Sequence, residues 1–260
     1  MFNNIITKFS DLSYKKKSLI EKNIFSFLAL AILTGIYVGF SNLFAYSVAG
    51  PFFAVNSPLV KLIISVLFPV ALVIVIFSST ELFTSNTMYM SIGILEKKVR
   101  FIDYVKVLIL SYIGNLIGSV LVAYILKLTG LLDVDTTINV LLNYANHKID
   151  ANGFQILIKG IFCNIMVCIT VFMCYKTEND VAKILIVIYG IALFLAAGFE
   201  HCVANMSLFS MAYFGRPTEI LLNGIFKNLL FATIGNIIGG SMFIGYIYWY
   251  INSKTKEIYS

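Results

Sequence analysis

Long apolar segments separated by short polar ones dominate the pattern of the chain. Six apolar runs are long enough to cross a bilayer, at residues 25–48, 61–95, 101–128, 155–175, 182–213 and 224–251. A transmembrane helix needs about 20 consecutive apolar residues. The second and fifth runs are longer than one plain span, and polar patches interrupt them at 78–86 and 198–205. We predict an all-α membrane protein with six spans, of which spans two and five are broken helices.

The two halves of this pattern repeat. Gly-Asn-Leu-Ile-Gly-Ser at 114–119 is matched by Gly-Asn-Ile-Ile-Gly-Gly at 235–240, an offset of 121 residues. In the polar patches, Glu81 matches Glu200 at an offset of 119. Because three spans per half is an odd number, the second copy crosses the membrane in the opposite direction. We therefore predict two inverted three-span repeats whose breaks face each other across a pore, where protein or water covers the irregular backbone.

The composition fits a surface that faces lipid. The 260 residues are 59% hydrophobic and only 12% charged, which is too little charge for a water-exposed surface of this size. The formal net charge of +6 comes from basic residues scattered in short loops, so we predict a lipid bilayer and no nucleic acid as the partner. Of the 19 Lys and Arg residues, 13 lie on the side of the termini, and the positive-inside rule places both termini in the cytoplasm.

This orientation predicts three parts for a plasma-membrane protein. Residues 1–24 form a cytoplasmic N-terminal segment, residues 25–252 a single transmembrane channel domain, and residues 253–260 a cytoplasmic tail. We expect the run from Lys15 to Lys17 to be attracted to anionic lipid. The four cysteines lie in or beside apolar runs without metal-like spacing, so we expect buried thiols, no metal and no cofactor.

Away from the ends of the predicted spans, three ionisable residues lie at membrane depth: Glu81, Glu200 and His201. Such residues are costly in a bilayer and mark a cavity or a buried partner. His201 interrupts span five and titrates near neutral pH, so it suits an anion path as a proton donor or a switchable positive charge. The glutamates keep a cation path open, but we interpret them as structural, each accepting hydrogen bonds from backbone amides exposed at its break.

Small and bulky residues give further expectations. The glycines of the repeated motifs let helices pack closely in lipid, and the adjacent Asn115 and Asn236 could turn amide groups toward the path. Four bulky residues fit either core packing or apolar rings that gate a pore by excluding water: Phe68, Leu72, Leu82 and Phe194. Lys148, in the outer connection, could attract anions, although a lone lysine there is also typical of a solvated loop.

Four motifs carry a resemblance to a known family. They are Glu-Leu-Phe-Thr-Ser-Asn at 81–86 with Gly-Asn-Leu-Ile-Gly after it, Cys-Asn-Ile-Met-Val-Cys at 163–168, Phe-Glu-His-Cys-Val-Ala-Asn-Met at 199–206, and Gly-Asn-Ile-Ile-Gly-Gly at 235–240. In this order, they resemble the signatures of the formate/nitrite transporter family. The resemblance extends over nearly the whole chain.

The resemblance implies an aquaporin-like protomer with a pore of its own, assembled as a homopentamer, and no enzyme activity. By the same resemblance, Thr84 in the break of span two faces His201 at the pore centre. Asn164 and Asn236 would support this polar centre.

The resemblance also implies two apolar constrictions. The cytoplasmic one would be formed by Phe68, Leu72 and Leu82, and the outer one by Phe194, while Lys148 falls on a basic vestibule position. This sequence departs from the family pattern at Pro69 and in the short connection 214–223. The departures leave only the fine shape of the pore and its outer mouth open.

We predict a passive or proton-coupled pathway for small monovalent anions, namely hydrosulfide, formate or nitrite. Hydrosulfide comes first, because the overall likeness is closest to the family's hydrosulfide channels. The anion would lose water at an apolar ring and meet Thr84 and His201. It would then cross with a proton as the neutral acid, since a charge in a dry constriction is costly. The sequence leaves open whether His201 or solvent near Lys148 supplies the proton.

Two alternatives to an anion pathway remain at this point. An aquaporin-like channel for water or glycerol would conduct independently of pH and of Lys148. A membrane-embedded hydrolase would use Glu81, Glu200 and His201 as acid–base groups. The hydrolase lacks a recognisable nucleophile or metal motif, because neither HExxH, GxSxG nor a paired aspartate occurs.

Overall fold

Helices make up nearly all of the chain. The computed structural model describes residues 3–259, except for the side chains at 3, 256, 257 and 259. The first half contains α1 (Asn3–Lys22), α2 (Ile24–Ala54), α3 (Val60–Leu67), α4 (Val70–Ser78), α5 (Phe83–Leu95) and α6 (Phe101–Leu128). The second half contains α7 (Asp135–Asp150), α8 (Gly153–Cys174), α9 (Asp180–Ala197), α10 (Cys202–Gly215), α11 (Leu222–Ile238), a π-helix (Gly239–Tyr246) and α12 (Ile247–Tyr259). No strand occurs within residues 3–259.

Asparagine side chains cap the N-termini of three of the membrane helices. Asn23, Asn152 and Asn179 precede α2, α8 and α9, and each accepts a hydrogen bond from a backbone N–H three residues on, at 2.9–3.1 Å. Each cap satisfies a donor that the helix itself leaves free. The local sequence therefore sets where these helices start, and the apolar residues that follow form their membrane-spanning parts.

Six segments of the described chain are long and apolar enough to cross a membrane, and they match the six predicted spans. Span two comprises α3, α4 and α5, and span five comprises α9 and α10. The helices stop at 79–82 and 198–201, inside the predicted polar patches. Both breaks begin with a left-handed residue, Ser79 (φ 54°) and Gly198 (φ 76°), at matching positions of the two halves. The predicted broken spans and the two inverted repeats are confirmed.

Each half is built on one close helix pair. α2 packs along α6 and α8 packs along α11, which are the first and third spans of the two halves. Gly118 lies directly against the carbonyl of Ile32, and Gly239 lies in the same way against the carbonyl of Ile161, so a Cβ atom has no room at either place. These glycines serve close helix packing, as their spacing predicts.

An asparagine from the third span clamps the break of the first half. Asn115 Oδ1 accepts a hydrogen bond from the Phe83 amide at 3.0 Å. Its Nδ2 donates to the carbonyls of Ala31 at 2.8 Å and Glu81 at 2.9 Å. The backbone groups that the break exposes are thereby paired inside the protein, as a membrane requires.

Asn236 repeats this clamp in the second half. Its Oδ1 accepts from the Cys202 amide at 2.9 Å, and its Nδ2 donates to the carbonyls of Gly160 at 2.8 Å and Glu200 at 2.9 Å. The expectation that Asn115 and Asn236 turn amides toward the path is therefore wrong. Their amide groups are fully used in holding the broken backbone.

Three elements lie outside the sequence prediction. The N-terminal segment forms α1, which packs against α5 and buries Ile6 and Phe9. The outer connection that carries Lys148 forms α7. The sixth span changes from α-helix to π-helix at Gly239. Of these elements, α1 and α7 matter for the pore, because each helix places a lysine at one end of the pore.

Large apolar side chains cover much of the outside of the bundle. Phe40, Ile109 and Leu230, for example, are each 51–57% exposed. Apolar cover of this extent is typical of surfaces that face lipid or a partner subunit. Inside the bundle, all four cysteines are buried and free, as predicted.

Candidate functional site

A series of four cavities runs through the bundle and defines the candidate pore. We name them in order the Lys16-side vestibule, the central chamber, the Lys148-side chamber and the Lys148-side vestibule. Each vestibule measures about 260 Å³ and each chamber about 20 Å³. Neighbouring cavities share wall residues: first Leu72 and Val75, then Phe68, Phe194 and His201, and finally Tyr46, Ile64, Lys148, Leu195 and Phe199. The shared walls form one path that is narrow at its centre.

The central chamber is almost entirely apolar. Nine of its ten wall residues are apolar: Val38, Phe68, Ala71, Leu72, Val75, Leu82, Val167, Ile191 and Phe194. The tenth is His201, whose ring stacks on Phe194 with centroids 5.8 Å apart. A volume of about 20 Å³ admits one solute of about the size of water. A solute in this chamber therefore meets a single polar side chain.

The four predicted constriction residues all line the central chamber, but Phe68 lies on the opposite side from the one expected. Phe68 and Phe194 also line the Lys148-side chamber, whereas Leu72 also lines the Lys16-side vestibule. Phe68 precedes Leu72 by about one helical turn, or roughly 6 Å along the axis. Span two enters from the Lys148 side, so the earlier residue lies nearer that side, and grouping Phe68 with Leu72 was wrong.

His201 and Thr84 meet across the two breaks, with His201 Nε2 3.0 Å from Thr84 Oγ1. As N-cap of α10, His201 accepts a hydrogen bond at Nδ1 from the Ala204 amide at 3.0 Å. An imidazole nitrogen that accepts carries no hydrogen, so neutral His201 holds its proton on Nε2 and donates it to Thr84. Thr84 is fully buried and lines none of the four cavities, so it orients His201 from behind.

Two helix N-termini lie at the pore centre. α5 begins at Phe83, directly after the first break, and α10 begins at Cys202, directly after the second. The N-terminus of a helix carries about half a positive charge. Both half-helices therefore favour negative charge at the centre and disfavour a protonated His201. The arrangement opposes the switchable positive charge that the sequence left open for this histidine.

Asn164 ties the two breaks together from span four. Its Nδ2 donates to the Thr84 carbonyl at 3.2 Å, to Thr87 Oγ1 at 3.0 Å and to the Asn236 carbonyl at 2.6 Å. Asn164 is completely buried. It positions the backbone that carries Thr84, but it does not face the cavities.

The two intramembrane glutamates bind side chains rather than backbone amides. Each carboxylate accepts hydrogen bonds from a lysine and from the asparagine five residues on: Lys16 and Asn86 for Glu81, and Lys148 and Asn205 for Glu200. The lysine nitrogens lie 2.6 Å from Glu81 and 2.9 Å from Glu200. The backbone partners expected for these carboxylates are therefore wrong. Paired in this way, neither carboxylate offers a free charge for a cation path.

The N-terminal lysines reach into the protein. Lys16 pairs with Glu81, and Lys17 lies 3.6 Å from Asp103 at the start of α6. Lys15 lines the Lys16-side vestibule. The expected attraction of this run to lipid is wrong for Lys16 and Lys17, because folding of α1 over the end of the pore brings them to buried carboxylates.

Two buried asparagines escaped the sequence prediction: Asn42, which lines the Lys148-side chamber, and Asn228, which binds the wall residue Asn205. Asn42 donates to the Ala204 carbonyl at 3.0 Å, next to the histidine cap. Asn228 accepts from Asn205 at 2.8 Å and donates to the Lys148 carbonyl at 3.0 Å. The available signal was a strongly polar residue in an apolar span, which marks a buried partner in membrane proteins as an ionisable residue does.

Known proteins resemble this chain along its whole length. A family model described as formate/nitrite transporter matches residues 3–250. The nitrite transporter NirC of Escherichia coli (strain K12) is 33% identical over 261 residues, covering 99% of this chain and 95% of that protein. A solved FNT family ion channel superposes with a TM-score of 0.90 at 32% identity, covering 96% of this chain and 99% of that one. A pentameric formate channel with formate bound gives a TM-score of 0.78 at 28% identity, covering 89% and 98%. These are transporters and channels, not enzymes.

Proposed function

Because the chain belongs to the formate/nitrite transporter family and has the aquaporin-like fold of its channels, we propose that it conducts small monovalent anions together with protons. One observation carries this proposal. An apolar chamber whose single polar side chain is a neutral histidine lies where two helix N-termini converge, between two vestibules that hold lysines. The membrane hydrolase is abandoned, since the chain's relatives and structural neighbours transport rather than catalyse.

The anion crosses the centre as its neutral acid. A bare charge has no compensating partner in the central chamber, so its entry is costly. Addition of one proton to the anion removes that cost. The positive ends of α5 and α10 help the anion to approach before it is protonated.

The proton comes from solvent in a vestibule rather than from His201. To donate a proton and recover, His201 would have to pass through a charged form with hydrogen on both nitrogens. That form sets Nδ1–H against the Ala204 amide and removes the cap of α10. His201 instead presents a neutral ring, held at both nitrogens, to the acid that passes it.

Hydrosulfide is the leading single substrate, with formate and nitrite next. The central chamber of about 20 Å³ fits one heavy atom more readily than three. Hydrosulfide has one heavy atom and takes up a proton near neutral pH. The similar proteins named above as a nitrite transporter and as a formate channel with formate bound support the wider class of small monovalent anions.

The protein assembles as a homopentamer in the plasma membrane, with both termini in the cytoplasm. The similarity to a pentameric formate channel and the exposed apolar surface support the assembly. The positive-inside bias supports the orientation, which places the Lys148-side vestibule outside. Each protomer keeps a complete path of its own, as the shared cavity walls indicate.

A water or glycerol channel is the remaining alternative, since the central chamber admits a solute of about the size of water. Competition between solutes separates the two proposals. Proteoliposomes that contain the purified protein are supplied with labelled formate and challenged with hydrosulfide, nitrite, acetate or chloride. We expect strong competition from hydrosulfide and nitrite, little from acetate because of its size, and none from chloride, because its conjugate acid is a strong acid with no neutral form in water. Water flux without any formate uptake would favour the alternative.

A further inference from the structure

The Lys148-side chamber differs from the central chamber in its polar wall. Five polar side chains line it: Asn42, Tyr46, Lys148, His201 and Asn205. Lys148 is paired with Glu200 at 2.9 Å, and both ring nitrogens of His201 are bonded to the protein. The tyrosine hydroxyl can donate as well as accept, so it does not discriminate between solutes. The two asparagines are left as the groups that can set a preference.

Asn42, on α2, has a free side-chain oxygen. Its Nδ2 donates one hydrogen to the Ala204 carbonyl at 3.0 Å and the other to Ser207 Oγ at 2.5 Å. A backbone carbonyl only accepts, so this contact fixes which end of the amide is nitrogen. None of the described residues donates to Oδ1. Asn42 is only 3% exposed, and this chamber is the one cavity of the path that it lines, so Oδ1 faces the chamber.

Asn205 supplies a second free oxygen. Both hydrogens of its Nδ2 are used, on Glu200 Oε2 at 2.6 Å and on Asn228 Oδ1 at 2.8 Å. Within the described chain no group donates to Asn205 Oδ1. The residue that matches it in the first half, Asn86, has its oxygen enclosed by protein instead. The Lys148-side chamber therefore presents two amide oxygens, which accept hydrogen bonds and cannot donate them.

The amide of Asn42 is not part of the repeated scaffold. The two asparagine clamps bind the carbonyls of Ala31 and Gly160, so α2 and α8 match at an offset of 129 residues. At this offset Asn42 matches Val171, which is apolar. The fold therefore accepts an apolar residue at the equivalent place, and the amide of Asn42 points to a task in the pathway.

We propose that Asn42 is a specificity-determining residue of the pathway, and that its Oδ1, together with that of Asn205, accepts a hydrogen bond from the acidic hydrogen of the protonated substrate. This inference rests on the proposed function, since it gives the neutral acid a binding site. Formic and nitrous acid carry an O–H donor, whereas formate and nitrite carry only acceptors, which amide oxygens repel. The chamber thereby selects the neutral form next to the central chamber, where a bare charge is costly.

Uptake of labelled formate into proteoliposomes, below its half-saturating concentration and with competing solutes, tests this role. Asn42→Leu keeps nearly the same shape and removes the oxygen. We expect formate uptake to fall about tenfold and the half-inhibiting concentration of nitrite to rise about tenfold, because each acid loses one hydrogen bond of about 1.4 kcal/mol. The S–H group is a weak donor, so the half-inhibiting concentration of hydrosulfide should change less than about twofold.

Ser207→Ala is the matched control. It removes one partner of Asn42 Nδ2 but keeps the bond to Ala204 and the free oxygen, so all three solutes should stay within about twofold of the unaltered protein. If Asn42→Leu does not fold, Asn42→Ser removes the same oxygen, with its hydroxyl bonded to the carbonyl one helical turn before, and should give the same selectivity.

Two results would overturn the role of Asn42. One is an equal weakening of all three solutes in a folded Asn42 variant, because a packing defect does not distinguish O–H from S–H. The other is unaltered formate uptake in that variant. Absence of formate uptake in the unaltered protein would overturn the proposed function, and this inference with it.

Discussion

At the residue scale, the tautomer of His201 decides what the pore centre can do. The Ala204 amide occupies Nδ1, so the hydrogen lies on Nε2 and points to Thr84. The helix N-terminus that His201 caps also disfavours a positive ring. Both ring nitrogens are therefore held by the protein, so His201 presents a fixed, neutral ring to a passing acid, and proton supply is left to the water of the vestibules.

The contact between His201 and Thr84 can be tested by two substitutions of nearly equal size. Thr84→Val removes the acceptor for Nε2–H and leaves a buried donor unpaired, a loss of roughly 1–3 kcal/mol. We expect uptake of formate to fall at least tenfold, because the ring loses its orientation. Thr84→Ser keeps the hydroxyl and should retain most of the uptake. Equal rates in the two variants would show that the hydroxyl plays no part.

Much of the polar centre could be predicted from the sequence, since Thr84, His201 and Asn164 lie in motifs that the chain shares with a family. Their roles as pore residues remain proposals. The pairing of Lys16 with Glu81 could not be predicted, because 65 residues separate them and only the fold of α1 brings them together. The side of the pore on which Phe68 lies could have been predicted, because the direction of span two places the earlier residue nearer the Lys148 side.

At the element scale, the breaks are the features that polar patches predict best. If an apolar span interrupted by Ser, Thr, Glu and Asn continued as a lipid-facing helix, it would expose those polar groups to lipid. How the broken backbone is satisfied was not predictable, because the clamping Asn115 and Asn236 come from distant spans. Helix α7 was missed because its mixed polar and apolar residues lack the long apolar run of a span.

Removing one clamp should destabilise the fold. Asn236→Ala leaves the Cys202 amide and the carbonyls of Gly160 and Glu200 unpaired in a buried place. We expect a loss of about 3 kcal/mol or more, since each unsatisfied buried group costs roughly 1–3 kcal/mol. Thermal unfolding of the purified protein in detergent measures the effect. Asn143 is exposed, so Asn143→Ala serves as the control and should unfold at the wild-type temperature. A wild-type unfolding temperature for Asn236→Ala would contradict the role of Asn236 as a clamp.

At the scale of the whole molecule, the inverted repeat explains why the two halves of the path share one architecture, although they differ in the polarity of their breaks. Each half supplies a break, a clamp and a glutamate–lysine pair. Only the second half places a histidine in the break, because the residue matching His201 in the first half is Leu82. This architecture was predictable from the repeated motifs, whereas the subunit number is set by surfaces that meet only in the assembly.

The assembly is open to a direct test. A homopentamer of 29.0 kDa chains should give a protein mass of about five times that value by native mass spectrometry in detergent. The exposed apolar surface of the bundle gives the physical reason, because part of it is free to pack against a neighbouring copy. A purified, formate-conducting protein whose mass is that of one chain throughout would contradict the proposed assembly.

The central claim is that a small anion crosses with one proton, past a neutral His201. Proteoliposomes loaded with a pH-sensitive dye test it when formate is added outside without a pH gradient. We predict rapid internal acidification that does not depend on membrane potential, and at least a tenfold slower change in His201→Ala. Formate entry without acidification, or a His201→Ala variant with wild-type rate and pH dependence, would contradict the account.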